Sequence, residues 1–373
     1  MQDELYGHVE ELIGAFSKSI KSGEGEPETN AALRALELLS VNAYDNTIFE
    51  RVDSLLSNTI RDSTSKIVKS NAIHCLGACT LFGGGGEDSI SDLMNFLLDI
   101  ISSDGQSIDA TDDPNSVTAA LQEWGHLATH IADLSAESEE SVQVFLDQLD
   151  SSDTGVQIAA GENIALLYEK TYRPHSYYDN EDDDDENDNE DNEDNVENDD
   201  EELLSYSGPK LVKRYDAYHN TQEVTEKLHE LSVAHSKRIS KRDKKNLHSN
   251  FTSILTTVED PRRGYMYSTT IDEETGRHQG SKFSFKVGRD GAMQIDRWWK
   301  WIRFNSFRRL LQGGFSAQYS YGNRAMVENL PGVERWVDGD DDSEQWTSSK
   351  SKGKKGKKGR RNDTKFAVHH MDD

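Results

Sequence analysis

Two pairs of side chains in this sequence have the spacing of metal ligands on a helix. His126 and His130 are four residues apart in HLATH, and Cys75 and Cys79 are four apart with His74 beside them. Imidazole and thiolate groups bind zinc, and residues four apart share one face of a helix. HLATH lacks the glutamate of a metalloprotease motif, and the apolar repeat described below already accounts for Cys79. Packing explains both pairs better than metal binding, so we expect no metal or other cofactor.

Other catalytic signatures have no local support. GGGGE (83–87) follows a predicted helix end and lacks the Lys-Ser/Thr of a phosphate-binding loop, which is typical of a turn. No Ser/His/Asp or Cys/His nucleophilic arrangement stands out locally, although such groups can assemble from distant positions. The sequence therefore predicts a protein that is not an enzyme and has no small-molecule substrate.

The most concentrated group of candidate functional side chains in the sequence is basic. In SKRISKRDKKNLHSNF (236–251) the basic residues are Lys237, Arg238, Lys241, Arg242, Lys244 and Lys245. Several of them share one face if a helix runs through the segment, and such a row suits phosphates along a strand. We interpret this basic block as a nucleic-acid contact. A solvated charged face is the alternative.

A second cationic segment, IDRWWKWIRFNSFRRLLQGG (295–314), predicts a helix with Asp296 as its N-cap and Gly313 as its stop. Its apolar residues spread around most of the circumference, and basic residues fill the gaps. The predicted nucleic-acid contacts in it are Arg297, Lys300, Arg303, Arg308, Arg309, Trp298 and Trp301. Guanidinium and indole planes can stack on unpaired bases. Packing of the aromatic rings on preceding helices is the alternative, and both can hold on different faces.

Charge is segregated along the chain, whose formal net charge is −28. Residues 1–178 hold 9 basic and 30 acidic side chains, residues 179–202 hold 17 acidic and no basic ones, and residues 203–337 hold 23 basic and 14 acidic. This segregation indicates a basic half that meets a polyanion, joined to an acidic half that does not.

The end of the sequence carries a Lys/Gly tail. The basic residues of this tail that we assign to nucleic-acid binding are Lys352, Lys354, Lys355, Lys357, Lys358, Arg360 and Arg361. Such a tail serves as a nuclear localisation signal, as an RNA-binding extension, or as both. With only two cysteines, no signal-peptide pattern and no run of 18 apolar residues, we expect a cytoplasmic protein. It is also nuclear if the tail acts as a signal, and it has no membrane partner.

The elements that position these residues follow a repeat. AALRALELL (31–39), NAIHCLGACTLF (71–82), TAALQEWGHLATHI (118–131) and IAAGENIALLYE (158–169) each place a small residue before apolar residues four and seven positions later. The intervals between their alanines, at 32, 72, 120 and 160, are 40, 48 and 40 residues. This period is typical of armadillo and HEAT repeats. The sequence predicts an all-α, armadillo/HEAT-like α-solenoid, with an irregular helical bundle as the alternative.

A small β-hairpin is predicted near the C-terminal part, where KFSFKVGRDGAMQI (282–295) alternates with a period of two and places Asp290-Gly291 at the turn. The predicted domains are repeats at 1–178, an acidic disordered insertion at 179–205, a basic continuation of the repeats at 206–260, a loop insertion at 261–281, the hairpin and Trp-rich helix at 282–337, and a disordered tail at 338–373.

Several stretches resemble the interferon-related developmental regulator family. They are KSGEGEPETNAALRALELL, IAAGENIALLYE, LSVAHSKRISKRDKKNLHSNFTSILTTVED and MQIDRWWKWIRFNSFRRLLQGGF, in the order the family has them. The chain departs from the family in its long acidic insertion, in the insert from Arg262 to Arg277, and in starting where family members usually have a further repeat ahead.

The resemblance implies an armadillo-type fold, no catalysis, and roles as a transcriptional co-regulator or as a ribosome-binding protein that keeps ribosomes silent with a C-terminal helix in the tRNA and mRNA path. We therefore expect a regulator that binds the ribosome or RNA through its basic half and represses translation by occupying a nucleic-acid channel. The alternative is a nuclear transcriptional co-regulator that binds protein partners through the solenoid groove.

Overall fold

The computed structural model describes residues 5, 7–23, 25–43, 45–174, 211–233, 241–273, 276, 278–281, 283–287 and 291–335. For residues 241–244, 246 and 335 it describes the backbone alone. The chain divides into a compact unit, residues 1–335, and a second unit, residues 336–373. The predicted acidic insertion and the predicted tail therefore lie outside the described residues.

Ten helices of the described chain form five stacked pairs. The outer helices are α1 (Val9–Ser22), α3 (Ile48–Asp62), α5 (Glu87–Ser102), α7 (Ser135–Gln148) and α9 (Thr221–Val233). The inner helices are α2 (Glu26–Ala43), α4 (Lys66–Phe82), α6 (Pro114–Ala128), α8 (Thr154–Lys170) and α10 (Lys241–Glu259). Each inner helix packs on its outer partner and on the inner helices of the adjacent pairs. The predicted all-α solenoid is confirmed.

The local sequence sets where the inner helices begin. Ser65 accepts a hydrogen bond from the backbone N–H of Val68 at the start of α4. Asp113 does the same for α6, where Pro114 takes the first helical position, and Asp153 does so for α8. These side chains satisfy N–H groups that have no partner inside a helix, and proline at the first position loses no hydrogen bond.

Glycines let neighbouring inner helices approach closely. A Cβ atom on Gly77 of α4 would lie 2.2 Å from a carboxylate oxygen of Glu123 on α6. A Cβ atom on Gly125 of α6 would lie 2.1 Å from the side-chain oxygen of Asn163 on α8, whose amide donates to the carbonyl of Leu121 at 2.8 Å. The missing side chains therefore make room for buried polar groups between the repeats.

A buried lysine caps the C-terminal end of the outer helix α3. Lys69 is 1% exposed, and its Nζ donates to the carbonyls of Ile60 and Arg61 at 2.8 Å each, at the C-terminal end of α3. A cation at this end satisfies free carbonyls and interacts favourably with the helix dipole. Burial lowers the pKa of Lys69, opposed by Asp109 and Asp62.

Short antiparallel strands interrupt the helices. β1 (Tyr172–Pro174) pairs with β2 (Leu211–Lys213), and β3 (Tyr267–Ile271) pairs with β4 (His278–Ser281). β5 (Ser284–Val287), β6 (Gly291–Gln294) and β7 (Val333–Arg335) form a three-stranded sheet in that order. The β5–β6 hairpin was predicted, but the position of its turn was wrong, because Gly291 pairs with Val287 within the sheet. The segment 261–281, predicted as a loop insertion, contains the β3–β4 hairpin.

The Trp-rich segment forms α11 (Trp298–Leu311), followed by a 3₁₀ turn (Gln312–Gly314), α12 (Phe315–Ser320) and α13 (Arg324–Asn329). Asp296 is not the N-cap; Arg297 holds that position, with no side-chain cap hydrogen bond, and Asp296 pairs with Lys300 instead. α11 contacts α2, α6 and α8, and the ring of Phe307 lies 5.3 Å from Phe82 of α4. The helix therefore crosses the inner layer of the solenoid.

Candidate nucleic-acid interface

The basic block of the sequence begins outside the described residues and continues into α10. Its first members, Lys237 and Arg238, lie in the undescribed segment 234–240. The other four occupy the first turns of α10, at Lys241, Arg242, Lys244 and Lys245. Only the last of these has a described side chain, and it is exposed. The tail residues from Lys352 to Arg361 all lie outside the described residues.

The second half of α10 belongs to the solenoid core. Phe251, Ile254 and Val258 are each at most 3% exposed, and the first two lie against Gly161 of α8. The apolar residues of α10 thus follow its basic turns in sequence rather than alternate with them. This order anchors the helix by one end while the basic end precedes the packed part.

Both ends of α11 receive charged side chains from the solenoid. Glu169 at the end of α8 accepts the backbone N–H groups of Trp298 and Trp299, at 2.9 and 3.2 Å. At the other end, Arg34 of α2 donates to the carbonyl of Arg309 at 3.1 Å and to that of Leu310. A carboxylate at a helix N-terminus and a guanidinium at its C-terminus both complement the helix dipole. The two caps fix the position of α11 along the inner face.

A buried charge cluster holds the C-terminal half of α11. Arg309 forms an ion pair with Glu123 of α6, which is 1% exposed, and donates to Gln122 at 3.0 Å. His74 lies 2.7 Å from the same carboxylate and His126 lies 3.8 Å from it. Burial alone would raise the pKa of Glu123, but Arg309 and both histidines bring it well below its ordinary value. Burial lowers the pKa of His74 and of His126.

The two tryptophans that the sequence singles out pack against other parts of the protein, Trp298 fully buried and Trp301 partly buried. Trp298 is fully buried, and its indole N–H donates to Thr257 of α10 at 2.7 Å. Trp301 stacks on Tyr265 with ring centroids 4.1 Å apart, and its indole donates to Glu162 at 2.9 Å. Burial raises the pKa of Glu162 to about 7, and the hydrogen bond from Trp301 opposes this shift. For these two rings the packing alternative describes what the structure has.

Arg303 and Lys170 converge on the end of α6. Arg303 donates to the hydroxyl and carbonyl of Thr129 at 2.9 and 3.0 Å, and Lys170 donates to the same carbonyl at 3.5 Å and to that of Ile131. Burial lowers the pKa of Arg303 to about 10. Burial and then Arg303 lower the pKa of Lys170 to about 8. Burial, Arg303, His126 and Lys170 together lower the pKa of His130 to about 2.

The other predicted cations of α11 also have intramolecular contacts. Arg297 donates to the carbonyl of Arg262 at 2.9 Å, and Lys300 pairs with Asp296. The guanidinium of Arg308 lies over the rings of Phe285 and Phe304, 5.3 and 5.4 Å from their centroids. Contacts of these cations with nucleic acid stay a prediction.

Trp299, which the sequence does not single out, is partly exposed in α11's first turn, as Trp301 is. Arg303 and Lys300 lie 5.1 and 5.7 Å from its ring centroid. Consecutive helical residues point 100° apart, so which of three neighbouring tryptophans faces out depends on how α11 sits on the solenoid. No signal in the sequence gives that angle.

One side of α11 is packed in the core, and occupation of a nucleic-acid channel stays a prediction. Phe304 and Phe307 are at most 1% exposed, and Leu310 is 4% exposed. Moving them into water would forfeit about 1.5–3 kcal/mol for each fully buried apolar side chain. α11 is therefore an integral part of the core.

The metal-ligand candidates pack as apolar or hydrogen-bonded residues. Cys75 and Cys79 are both fully buried, and burial raises the pKa of the Cys75 thiol well above its ordinary value. His126 pairs with Glu123, while His130 follows the end of α6. Within the described part of the chain, no group of three or more His, Cys, Asp or Glu side chains could hold a metal ion.

Comparison with known proteins identifies a family that the chain matches. A family model described as interferon-related developmental regulator matches residues 1–259, which end with α10. The β3–β4 and β5–β6 hairpins, α11 and β7 lie beyond the matched range, although β3 and α11 contact matched helices.

An uncharacterized protein of Schizosaccharomyces pombe is 24% identical over 273 residues, which cover 73% of this chain and 53% of that protein. The chain thus spans about half the length of this curated relative. None of the helices in the described ranges is long and apolar enough to cross a membrane.

Proposed function

The chain belongs to the interferon-related developmental regulator family, and from this premise we propose that it is a non-catalytic regulator that binds ribosomal RNA through its basic C-terminal half and represses translation. The family is regulatory rather than enzymatic, and membership indicates a regulatory role in development or gene expression. Ribosome binding and repression are the finer parts of the proposal.

The observation that supports the proposal most directly is the segregation of charge. Residues 203–337 carry 23 basic and 14 acidic side chains, against 9 and 30 in residues 1–178. In the described part, the basic block opens α10 and the exposed Lys245 lies in it. A patch of one sign beside a surface of the other attracts a polyanion in one orientation, which keeps the acidic repeats away from phosphates.

RNA binding of this kind has an electrostatic signature. Each phosphate contact by Lys or Arg releases counterions, so affinity falls steeply as salt rises. Repression would follow from steric occupation of a path that RNA needs. Because α11 is packed in the core, the segment we assign to that occupation is the Lys/Gly tail, which lies outside the described residues.

The decisive experiment is sedimentation of the full chain with ribosomes. Reversing Lys241, Arg242, Lys244 and Lys245 to Glu should remove the protein from ribosomal fractions of a sucrose gradient at moderate salt. Treatment with RNase should remove the parent protein in the same way. Four reversed contacts change the interaction by several kcal/mol, since a charge placed against a phosphate repels it.

A matched variant tests whether co-sedimentation depends on the position of the reversed charges or only on the net charge of the chain. Reversing Lys18, Lys21, Arg61 and Lys66 to Glu makes the same change in net charge on the N-terminal repeats and should leave co-sedimentation intact. If the α10 variant still co-sediments, docking through the basic block is wrong. If the parent never co-sediments, the ribosome proposal fails as a whole.

The alternative, a nuclear co-regulator that binds protein partners through the solenoid groove, has no specific observation in its favour. α11 crosses the inner helices and contacts α2, α6 and α8, with further side-chain contacts to Phe82 of α4 and Thr257 of α10. A partner of that face would have to bind beside α11, so substitutions of exposed inner-face residues, not of the basic block, would abolish its binding.

A further inference from the structure

Trp299 differs from the tryptophans on either side of it in α11. Trp298 is fully buried and Trp301 is stacked on Tyr265, with both indole N–H groups bonded to protein acceptors. Trp299 is partly exposed, and among the described residues its indole N–H has no acceptor and is not buried. An indole that packs on one side and keeps a free donor on the other is the kind of amphipathic side chain that is enriched at binding interfaces.

Two cations lie beside this indole, and a third adjoins one of them. Arg303 lies 5.1 Å and Lys300 lies 5.7 Å from the ring centroid. Lys170 reaches the carbonyl of Thr129 at 3.5 Å, and Arg303 reaches the same oxygen at 3.0 Å. Because two donors share one acceptor, Lys170 and Arg303 are neighbours. The ring and the three cations therefore form one continuous patch, which we term the Trp299 patch.

Positive charge in the Trp299 patch is only partly neutralised. Asp296 pairs with Lys300, and the carboxylate of Glu169 is bonded to the backbone at the start of α11. Among the described residues, Lys170 and Arg303 form no ion pair, and their acceptors are carbonyl and hydroxyl oxygens. Burial and then Arg303 lower the pKa of Lys170, and the second cause is in keeping with two cations held side by side. An anion placed here would relieve that repulsion.

We propose that the Trp299 patch is a stacking site for an unpaired base of single-stranded RNA, with the flanking phosphates held by Lys170, Lys300 and Arg303. The proposal rests on RNA binding as the proposed function and adds the place and the strand type. An indole accepts any base because every base has a π-face, and adjacent cations hold the backbone on both sides. A base inside a duplex offers no free face, so the site should distinguish single from double strands.

The test uses the full chain and fluorescence anisotropy with a labelled single-stranded RNA of about 12 nucleotides. Trp299→Leu should weaken binding by about 5- to 100-fold, because stacking on an aromatic ring has that range of effect per base. Trp299→Tyr should retain most of the affinity. The salt dependence should be the same in parent and leucine variant, since the phosphate contacts remain.

The matched control is Tyr321→Leu, which removes an aromatic ring that is 83% exposed outside the patch and should leave RNA affinity unchanged. A labelled duplex of the same sequence adds a second comparison. The parent should prefer the single strand, and Trp299→Leu should lose that preference. A general loss of stability would weaken both RNAs alike.

A cross-linking measurement needs no variant. RNA carrying 4-thiouridine should cross-link on irradiation to the peptide that contains Trp299. If the parent binds RNA but Trp299→Leu binds equally well, or if the cross-links lie only elsewhere, the stacking site is wrong while RNA binding stands. If the parent binds no RNA, the proposed function itself has failed.

Discussion

Two basic helices of this chain use their charges in opposite ways. α10 places its basic residues in its first turns and its packed residues afterwards, from Phe251 to Val258. α11 alternates cations with aromatic residues around its circumference. Arg303 and Arg309 donate to acceptors of the solenoid, and Arg308 lies over the ring of Phe285 in β5. The difference shows that a high density of basic residues in a helix does not by itself predict a surface that binds a polyanion. What matters is whether apolar residues share the same turns, because their burial brings cations such as Arg309 into contact with buried groups of the core.

The largest effect that would sharpen this comparison is on stability. Arg309→Met leaves Glu123 buried without its cation, so the free energy of unfolding should fall by about 3–5 kcal/mol. Lys245→Met in α10, whose side chain is exposed, should change it by at most about 0.5 kcal/mol. Urea unfolding followed by circular dichroism measures both.

The double variant Arg309→Met with Glu123→Gln checks the cause of that loss. It removes both charges together and should recover a good part of the lost stability. Equal stability of parent and Arg309→Met would mean that the pair does not hold α11, and the contrast with α10 would break.

A second effect, about half as large, depends on pH. His130 has a pKa of about 2 in the folded protein and an ordinary pKa of 6.5 when unfolded. Below pH 6.5 His130 is protonated in the unfolded chain but stays neutral in the folded chain. The free energy of unfolding therefore falls as pH falls. Between pH 6.5 and 5 this histidine should contribute a loss of about 1–2 kcal/mol.

The variant His130→Leu isolates that loss. Glu162 and Glu169 have raised pKa values and oppose the histidines in the same pH range, so the parent and variant should be compared at each pH. The variant should lose about 1–2 kcal/mol less than the parent on acidification. Parallel curves of unfolding free energy against pH would show that His130 is not held neutral beside α11.

The smallest effect concerns the N-terminal cap of α11. Glu169→Gln keeps an acceptor near the backbone N–H groups of Trp298 and Trp299 but removes the charge, and should lower stability by about 1 kcal/mol at pH 8. Glu162→Gln on the same helix should cost less, because the pKa of Glu162 is about 7 and its pair is a neutral indole. A larger loss from Glu162→Gln would reverse the assigned roles of the two carboxylates.

The solenoid could be predicted from the sequence because it rests on local information. Spacings of four and seven residues and a period near 40 residues placed α2, α4, α6 and α8 correctly. The β3–β4 hairpin was missed because its strands are short, polar and broken by a register shift, so they carry no clear alternation. β7 was missed because it pairs with a strand about 40 residues earlier in the chain.

The candidate site could be predicted only in its composition. The sequence indicated that apolar and basic residues alternate around most of α11, but the caps of this helix come from residues far away. Glu169, for example, is 129 residues from Trp298. A buried carboxylate looks like any other glutamate until its partner is known. The same holds for Trp299, whose exposure depends on the rotation of α11 that these distant contacts set.

The two caps of α11 have a consequence for how the chain is made. Arg34 and the Leu310 carbonyl that it binds are 276 residues apart, so a ribosome adding about 5–20 residues per second needs roughly 14–55 s to synthesise the second after the first. During that interval the N-terminal repeats have left the exit tunnel while the helix that covers their inner face does not yet exist. In each new molecule Glu123 and Glu169 are therefore synthesised well before the groups of α11 that they bind. The fold can be completed only near the end of translation.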